Sequence, residues 1–209
     1  MTAPELALPP GVLYDPSFAP PALAARWFAS LQVEVPWQIK TIVMFGKPVV
    51  SPRLTSWHGE PHARYRYSGL TLEPLPWTPT LQVIRERAQA VAGALLDSVL
   101  ANLYRDGCDG MGWHADDEPE LGRNPVIASV SLGAPRRFVL RERATGARSA
   151  IDLAPGSLLV MSGDTQHRFV HAVPKTSRAV GPRINLTYRR IVAPADPQRG
   201  SARVRAHSP

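Results

Sequence analysis

His114-Ala115-Asp116 sets an imidazole and a carboxylate two residues apart. In an extended segment residues i and i+2 project to the same face, so both groups can converge on one point. A further histidine from a later strand would complete two imidazoles and one carboxylate on one face of a metal ion. Three coordination positions would stay open, which is the ligand set of non-haem Fe(II) oxygenases. His167 and His171 both offer the third ligand. They lie four apart on one predicted strand, 167–173, and so face the same way; periodicity does not choose between them.

Arg183-Ile184-Asn185-Leu186-Thr187-Tyr188-Arg189 alternates polar and apolar throughout. This pattern puts Arg183, Asn185, Thr187 and Arg189 on one face of a single strand. Two guanidiniums with an amide and a hydroxyl make a site for a dicarboxylate, because each guanidinium can fork onto one carboxylate. Asn102 and Tyr104 share a face just before the His-x-Asp segment and can donate to the same acid. Cys108 is the one cysteine. It rules out an internal disulfide and a Cys-rich zinc site, and fits a reducing cytosolic compartment.

The elements that must position these groups are short. The chain has 209 residues with 22 prolines and 15 glycines, one domain's worth punctuated into small pieces. With 44% apolar and 20% charged residues it is an ordinary folding composition rather than a disordered one. No apolar run approaches the roughly 20 residues of a membrane-spanning helix. The opening MTAPELALPPG lacks a basic n-region and a long apolar core, so a cytoplasmic protein without a secretion signal is expected, nucleoid-associated in a bacterium. Helices are predicted over 20–31, where Leu23, Trp27 and Phe28 share a side, and from Thr78 or Thr80 to about Asp97. Strands are predicted over 37–44, 65–67, 99–104, 126–132, 137–141, 151–153, 157–162, 167–173 and 184–191, with a turn at Phe45-Gly46-Lys47-Pro48. The spacing of the later strands argues for a double-sheet jelly roll. The expected fold is therefore α+β, mainly β. Residues 1–97 would form N-terminal helices and hairpins, 98–192 the jelly-roll core, and 193–209 a basic flexible tail, as one structural domain and a monomer.

The formal net charge is +7, and only Lys40, Lys47 and Lys175 among the 24 basic residues are lysines. The tail from Arg190 supplies +3 of that surplus and the remainder +4. Arginine-borne basicity spread over fold and tail favours a polyanionic partner such as nucleic acid. Lys47, Arg53, Arg64 and Arg178 are candidate phosphate contacts.

Taken together, the runs 102–109 (NLYRDGCD), 113–118 (WHADDE), 127–133 (IASVSLG), 156–159 (GSLL) and the 183–189 cluster resemble the AlkB family. These are Fe(II)- and 2-oxoglutarate-dependent nucleic-acid demethylases on a double-stranded β-helix, or jelly-roll, core with a nucleotide-recognition hairpin region. The resemblance covers about 35–191 and is nearest the DNA-repair branch, whose Val-Phe-Gly-Lys hairpin is matched by Met44-Phe45-Gly46-Lys47. It implies Fe(II) and 2-oxoglutarate as cofactors and O2 as co-substrate. The implied partner is alkylated DNA, single- or double-stranded, with 1-methyladenine and 3-methylcytosine demethylated and formaldehyde released. The same chemistry on RNA, and a non-catalytic basic nucleic-acid-binding module, are the alternatives.

The family's third metal ligand precedes a short segment ending in proline, as in His171-Ala172-Val173-Pro174. The resemblance thus assigns His114, Asp116 and His171 to the metal and leaves His167 off it. It assigns Asn102, Tyr104, Arg183, Asn185, Thr187 and Arg189 to 2-oxoglutarate. Phe45, Gly46, Lys47, Tyr65, Arg66, Tyr67, Trp113, Asp117 and Glu118 fall to the substrate: Phe45 as a wedge, the tyrosines and Trp113 as aromatic walls, and the two acids on the rim beside a cationic base.

Overall fold

A computed structural model describes residues 8–44, 47–67 and 70–192, with the side chains of 42–49 and 65–72 outside that description. In chain order it begins with β1 (Val12–Asp15), α1 (Pro21–Glu34), β2 (Gln38–Met44) and β3 (Lys47–Gly59). The small strands β4 (Tyr65–Tyr67) and β5 (Leu70–Leu72) precede α2 (Pro79–Ala92), β6 (Ser98–Tyr104) and β7 (Met111–His114). Then come β8 (Ile127–Gly133), β9 (Arg136–Glu142), β10 (Arg148–Leu153) and β11 (Ser157–Met161). The one-turn helix α3 (Thr165–Arg168) leads into β12 (Phe169–Val173), and β13 (Arg183–Arg189) follows.

Seven strands form a major sheet in the order β1-β11-β8-β13-β6-β3-β2, and four form a minor sheet, β10-β9-β12-β7. All named pairings are antiparallel. This is the expected jelly roll: two sheets whose apolar inner faces bury against each other. Phe138, Leu140, Ile151, Leu153 and Phe169 of the minor sheet meet Tyr104, Ile127, Leu159 and Met161 of the major sheet in one buried cluster. On the far face of the major sheet, Trp27 and Leu31 of α1 and Leu81, Ile84 and Ala88 of α2 cover Val130, Leu132, Ile184 and Leu186 in a second cluster. Burying each such aliphatic side chain stabilises by about 1.5–3 kcal/mol. β13 therefore alternates between two buried environments, and all seven of its residues are buried.

The helix ends follow local chemistry. The Thr78 hydroxyl accepts the Leu81 N–H at 3.3 Å, and Pro79 occupies the first turn, where its missing donor costs nothing. Gly93 takes a left-handed φ of 61° and stops α2 there. The predicted extension to Asp97 is thus wrong, and Leu95, counted as part of the apolar stripe, is 64% exposed beyond the helix. Four strands went unread: β1, β5, β7 and the thirteen-residue β3, whose prolines at 48 and 52 argue against a strand. The β2–β3 ladder accommodates Pro52 by a bulge. Ile39 pairs with Leu54 and Thr41 with Val50, so Ser51, Pro52 and Arg53 oppose the single Lys40.

Candidate active site

His114 ends β7 and faces His171 of β12 as its direct cross-strand partner, with ring centroids 4.3 Å apart. Asp116 lies in the loop just after β7 and turns its carboxylate back to them. One ligand atom from each of His114, Asp116 and His171 lies within 4.8 Å of the others. His171 Nε2 is 3.6 Å from Asp116 Oδ2, while Arg189 Nη2 is 3.0 Å from Asp116 Oδ1. His114 Nδ1 is 2.9 Å from the Gly112 carbonyl, which only accepts, so Nδ1 carries the proton and Nε2 is left with its lone pair.

Electrostatics favour the same protonation pattern. Burial, with His114 and Arg189 adding to it and Asp116 opposing, pushes the His171 imidazole down to about 3, so it is neutral at physiological pH. Burial alone would raise the Asp116 carboxyl, but Arg189 and the two histidines hold it below the usual carboxylate range. A neutral His171, an ionised Asp116 and the His114 imidazole on a common point match the ligand set of a divalent first-row metal.

His167 does not compete. Instead of sharing the strand of His171, it sits on α3 and is exposed. Its Nε2 contacts the Arg123 carbonyl and lies 3.2 Å from Asn124 Oδ1. The helical turn of residues 165–168 rotates it away, which corrects the predicted strand.

The inner face of β13 carries the polar wall. Arg183 Nη2 donates to Ser131 Oγ at 2.9 Å, and Asn185 Nδ2 donates to Ser129 Oγ at 2.7 Å. Thr187 Oγ1 donates to Asn185 Oδ1 at 3.2 Å. Arg183 is 1% exposed, and its Nε and Nη1 have no hydrogen-bond partner. Its guanidinium lies 5.1 Å from the Tyr104 ring centre. Burial works against the Arg183 charge and Arg136 adds to that, with Tyr104 opposing; no carboxylate compensates it. A buried guanidinium with two idle donors costs several kcal/mol on the scale of such penalties, unless an anion completes it.

β13 is central, between β8 and β6, which rules out a solvated edge strand for this polar face. A cavity of about 180 Å³ gathers the triad, Asn102, Tyr104, Arg183, Asn185, Thr187, Arg189 and Glu118 on its walls. That is the size class that encloses a small organic molecule.

Lys40, Ser51, Arg53 and Thr55 also line it and were not read as site residues. The bulge in β3 aims Ser51 and Arg53 inward. Arg53, expected on the surface as a phosphate contact, is 7% exposed and donates from Nε to Asn102 Oδ1 at 2.7 Å. Nothing in the local sequence signals this, because it depends on a register shift between two strands. Two assigned residues stand outside the cavity lining. Trp113 is 42% exposed in a separate groove on the other face of β7, beneath Arg141 at 4.6 Å and Arg148 at 5.7 Å. Asp117 is exposed and pairs with Arg143 at 3.4 Å. Adjacent strand residues point to opposite faces, so Trp113 cannot share the face of His114. Phe45 and Gly46 lie outside the described residues. Lys47 opens β3 and Tyr65, Arg66 and Tyr67 form β4, with their side chains likewise outside the description.

Residues 11–189 match the profile of the 2OG-Fe(II) oxygenase superfamily. Mouse DNA oxidative demethylase ALKBH2 is 40% identical over 182 residues, covering 82% of this chain and 76% of the relative. The chain belongs to the AlkB family of 2OG-Fe(II) oxygenases. Human alpha-ketoglutarate-dependent dioxygenase alkB homolog 3 is 41% identical to this AlkB-family chain over 168 residues. The match covers 76% of the chain and 58% of that human relative's length. The structure of OsALKBH1 superimposes with a TM-score of 0.61 at 20% identity over 88% of this chain and 99% of the other, which establishes the fold. The superfamily works with Fe(II), 2-oxoglutarate and O2. The donor set of this AlkB-family chain fits both cofactors: the His-Asp-His cluster for the metal, and the incompletely partnered, buried Arg183 for a carboxylate.

Proposed function

We propose that this chain is an Fe(II)- and 2-oxoglutarate-dependent oxidative demethylase of N-alkylated bases, 1-methyladenine and 3-methylcytosine, in DNA. One observation carries the reading: the metal triad and Arg183, whose buried Nε and Nη1 have no hydrogen-bond partner, line the same cavity. The similarity to proteins named DNA oxidative demethylase supports the substrate class, as does the net charge of +7. When bound, Fe(II), 2-oxoglutarate and O2 supply the oxidation: one oxygen atom enters the N-methyl group while 2-oxoglutarate gives succinate and CO2.

The chain's own residues bind, orient and exclude water. His114 and His171 offer imidazole nitrogens and Asp116 its carboxylate, fixed by Arg189. Arg183 takes the far carboxylate of 2-oxoglutarate, with Asn102 and Tyr104 donating beside it. Asn185 and Thr187 brace that wall through Ser129. Glu118, on the cavity wall, favours a cationic methylated base over a neutral one. The methylated edge is the pairing edge, so the base must leave the duplex, at a cost of a few kcal/mol that is smaller for a lesion that pairs poorly. Phe45 fills the vacated stack, Tyr65 and Tyr67 stack on the extruded base, and Lys47 and Arg66 hold the strand. The hydroxymethyl base then releases formaldehyde.

The test is formaldehyde release from oligonucleotides carrying either lesion, single-stranded and duplex, with Fe(II), 2-oxoglutarate and O2. Turnover requires both cofactors, vanishes in His171→Ala and persists in His167→Ala. Consumption of 2-oxoglutarate without formaldehyde from DNA, but with it from methylated RNA, would move the substrate to RNA. Oligonucleotide binding with no 2-oxoglutarate consumed would leave only a binding module.

A further inference from the structure

Gln166 is a buried amide that the reaction does not use. It lies on α3 and is 1% exposed, and its Oε1 accepts the Asp116 N–H at 2.9 Å. Its Nε2 lies 3.6 Å from Met161 Sδ. Asp116 is 5% exposed and stands in the loop after β7, where no ladder bond fixes it. Arg189 holds the carboxylate at Oδ1, 3.0 Å away, while Oδ2 stands 3.6 Å from His171 Nε2. Without a hold on the main chain as well, the loop could swing about the Arg189 ion pair and carry Oδ2 away from His171. Gln166 supplies the hold at the main chain. It also spans the two ligand-bearing segments, because α3 runs directly into the strand of His171.

We propose that Gln166 is a positioning residue for the metal: it locks the backbone of Asp116 to the turn preceding His171, setting the bite of the carboxylate. The inference concerns the metal site alone and does not depend on the nucleic-acid substrate. It is therefore tested without one. Outer-shell partners of this kind are worth 10- to 100-fold in metal affinity.

The experiment is an anaerobic titration of the purified apoprotein with Co(II), followed by its visible absorption bands, with the apoprotein's thermal midpoint recorded for each variant. Gln166→Leu removes the acceptor at similar volume, and Gln166→Asn withdraws it by one methylene. Both are expected to bind Co(II) roughly 10- to 100-fold more weakly, with altered band positions. Gln166→Glu keeps the acceptor and is expected within a few-fold of wild type. His167→Ala, on the same turn but facing outward, is expected to be unchanged. Wild-type affinity in Gln166→Asn overturns the proposal, as does a Gln166→Glu variant as weak as Gln166→Asn. An equal loss in His167→Ala overturns it too, by tracing the effect to loosening of the turn. If Gln166→Leu does not fold, the Asn and Glu pair decides alone.

Discussion

Arg183 shows how one side chain can be costly to the fold and suited to the proposed 2-oxoglutarate site. Its charge is buried, its Nε and Nη1 are idle, and Arg136 stands near it. Replacing it with methionine removes a charge-assisted anchor worth about 1.5–3 kcal/mol, so KM for 2-oxoglutarate is expected to rise roughly 10- to 150-fold in steady-state assays. The same substitution relieves an uncompensated buried charge, so the apoprotein's melting temperature is expected to rise. A KM increase with a fall in melting temperature would contradict that account.

His58 carries a second residue-scale prediction. It is 2% exposed, its Nδ1 donates to the Pro76 carbonyl at 2.7 Å and its Nε2 lies 3.0 Å from Ser56 Oγ. Burial outweighs the Pro76 bond and pulls its pKa below the ordinary 6.5. The unfolded chain therefore binds the extra proton first, and His58's contribution is complete above pH 6.5 and lost as pH falls toward the folded value. Melting temperature of the apoprotein should drop between pH 7 and 5, with a shallower drop in His58→Gln.

At the scale of elements, α2 depends on its two ends. Gly93 adopts φ 61°, and a Cβ there would meet nothing within 4 Å. Gly93→Ala therefore costs only the backbone term, about 1–2 kcal/mol. Thr78→Ala costs about 1 kcal/mol through the lost cap. The two ends share no partner, so the double variant should be additive in denaturant melts.

Where the sequence was readable follows from the same physics. The period-two alternation of β13 is strict and local, so it placed Arg183, Asn185, Thr187 and Arg189 on one face, with Tyr188 and Leu186 on the other. The threonine cap of α2, at Thr78 or Thr80, was equally local. β3 was not legible, because its two prolines oppose a strand and only pairing with β2 and β6 on both sides enforces one. Arg53 was therefore read only as a phosphate contact and Gln166 not at all: one depends on a bulge set by register, the other on a single turn of helix inserted before β12. His167 and His171 are four apart in either conformation, and only the switch from helix to strand between them separates solvent from metal.

At the scale of the whole molecule, the surplus of arginine should govern encounter with nucleic acid. Affinity for a single-stranded oligonucleotide is expected to fall linearly on log–log axes with salt, at about 0.7 per phosphate neutralised. A chain cut after Val192 lacks Arg199, Arg203 and Arg205. Its slope should be shallower by about 2 in fluorescence anisotropy, with kcat unchanged. An unaltered slope would show that the fold alone supplies the phosphate contacts.

The wall of β13 has a consequence of a different kind. The strand that presents Arg183 and Arg189 to the cavity is also the central beam between the two apolar clusters. A ligand that neutralises the cavity thus tightens the beam. At a hundred times its dissociation constant, 2-oxoglutarate with a redox-inert metal would add about 2.7 kcal/mol, roughly 5–10 °C in a chain of this size. A folded chain bound to 2-oxoglutarate would then resist proteolysis longer than the bare apoprotein, because fewer copies are unfolded at any moment.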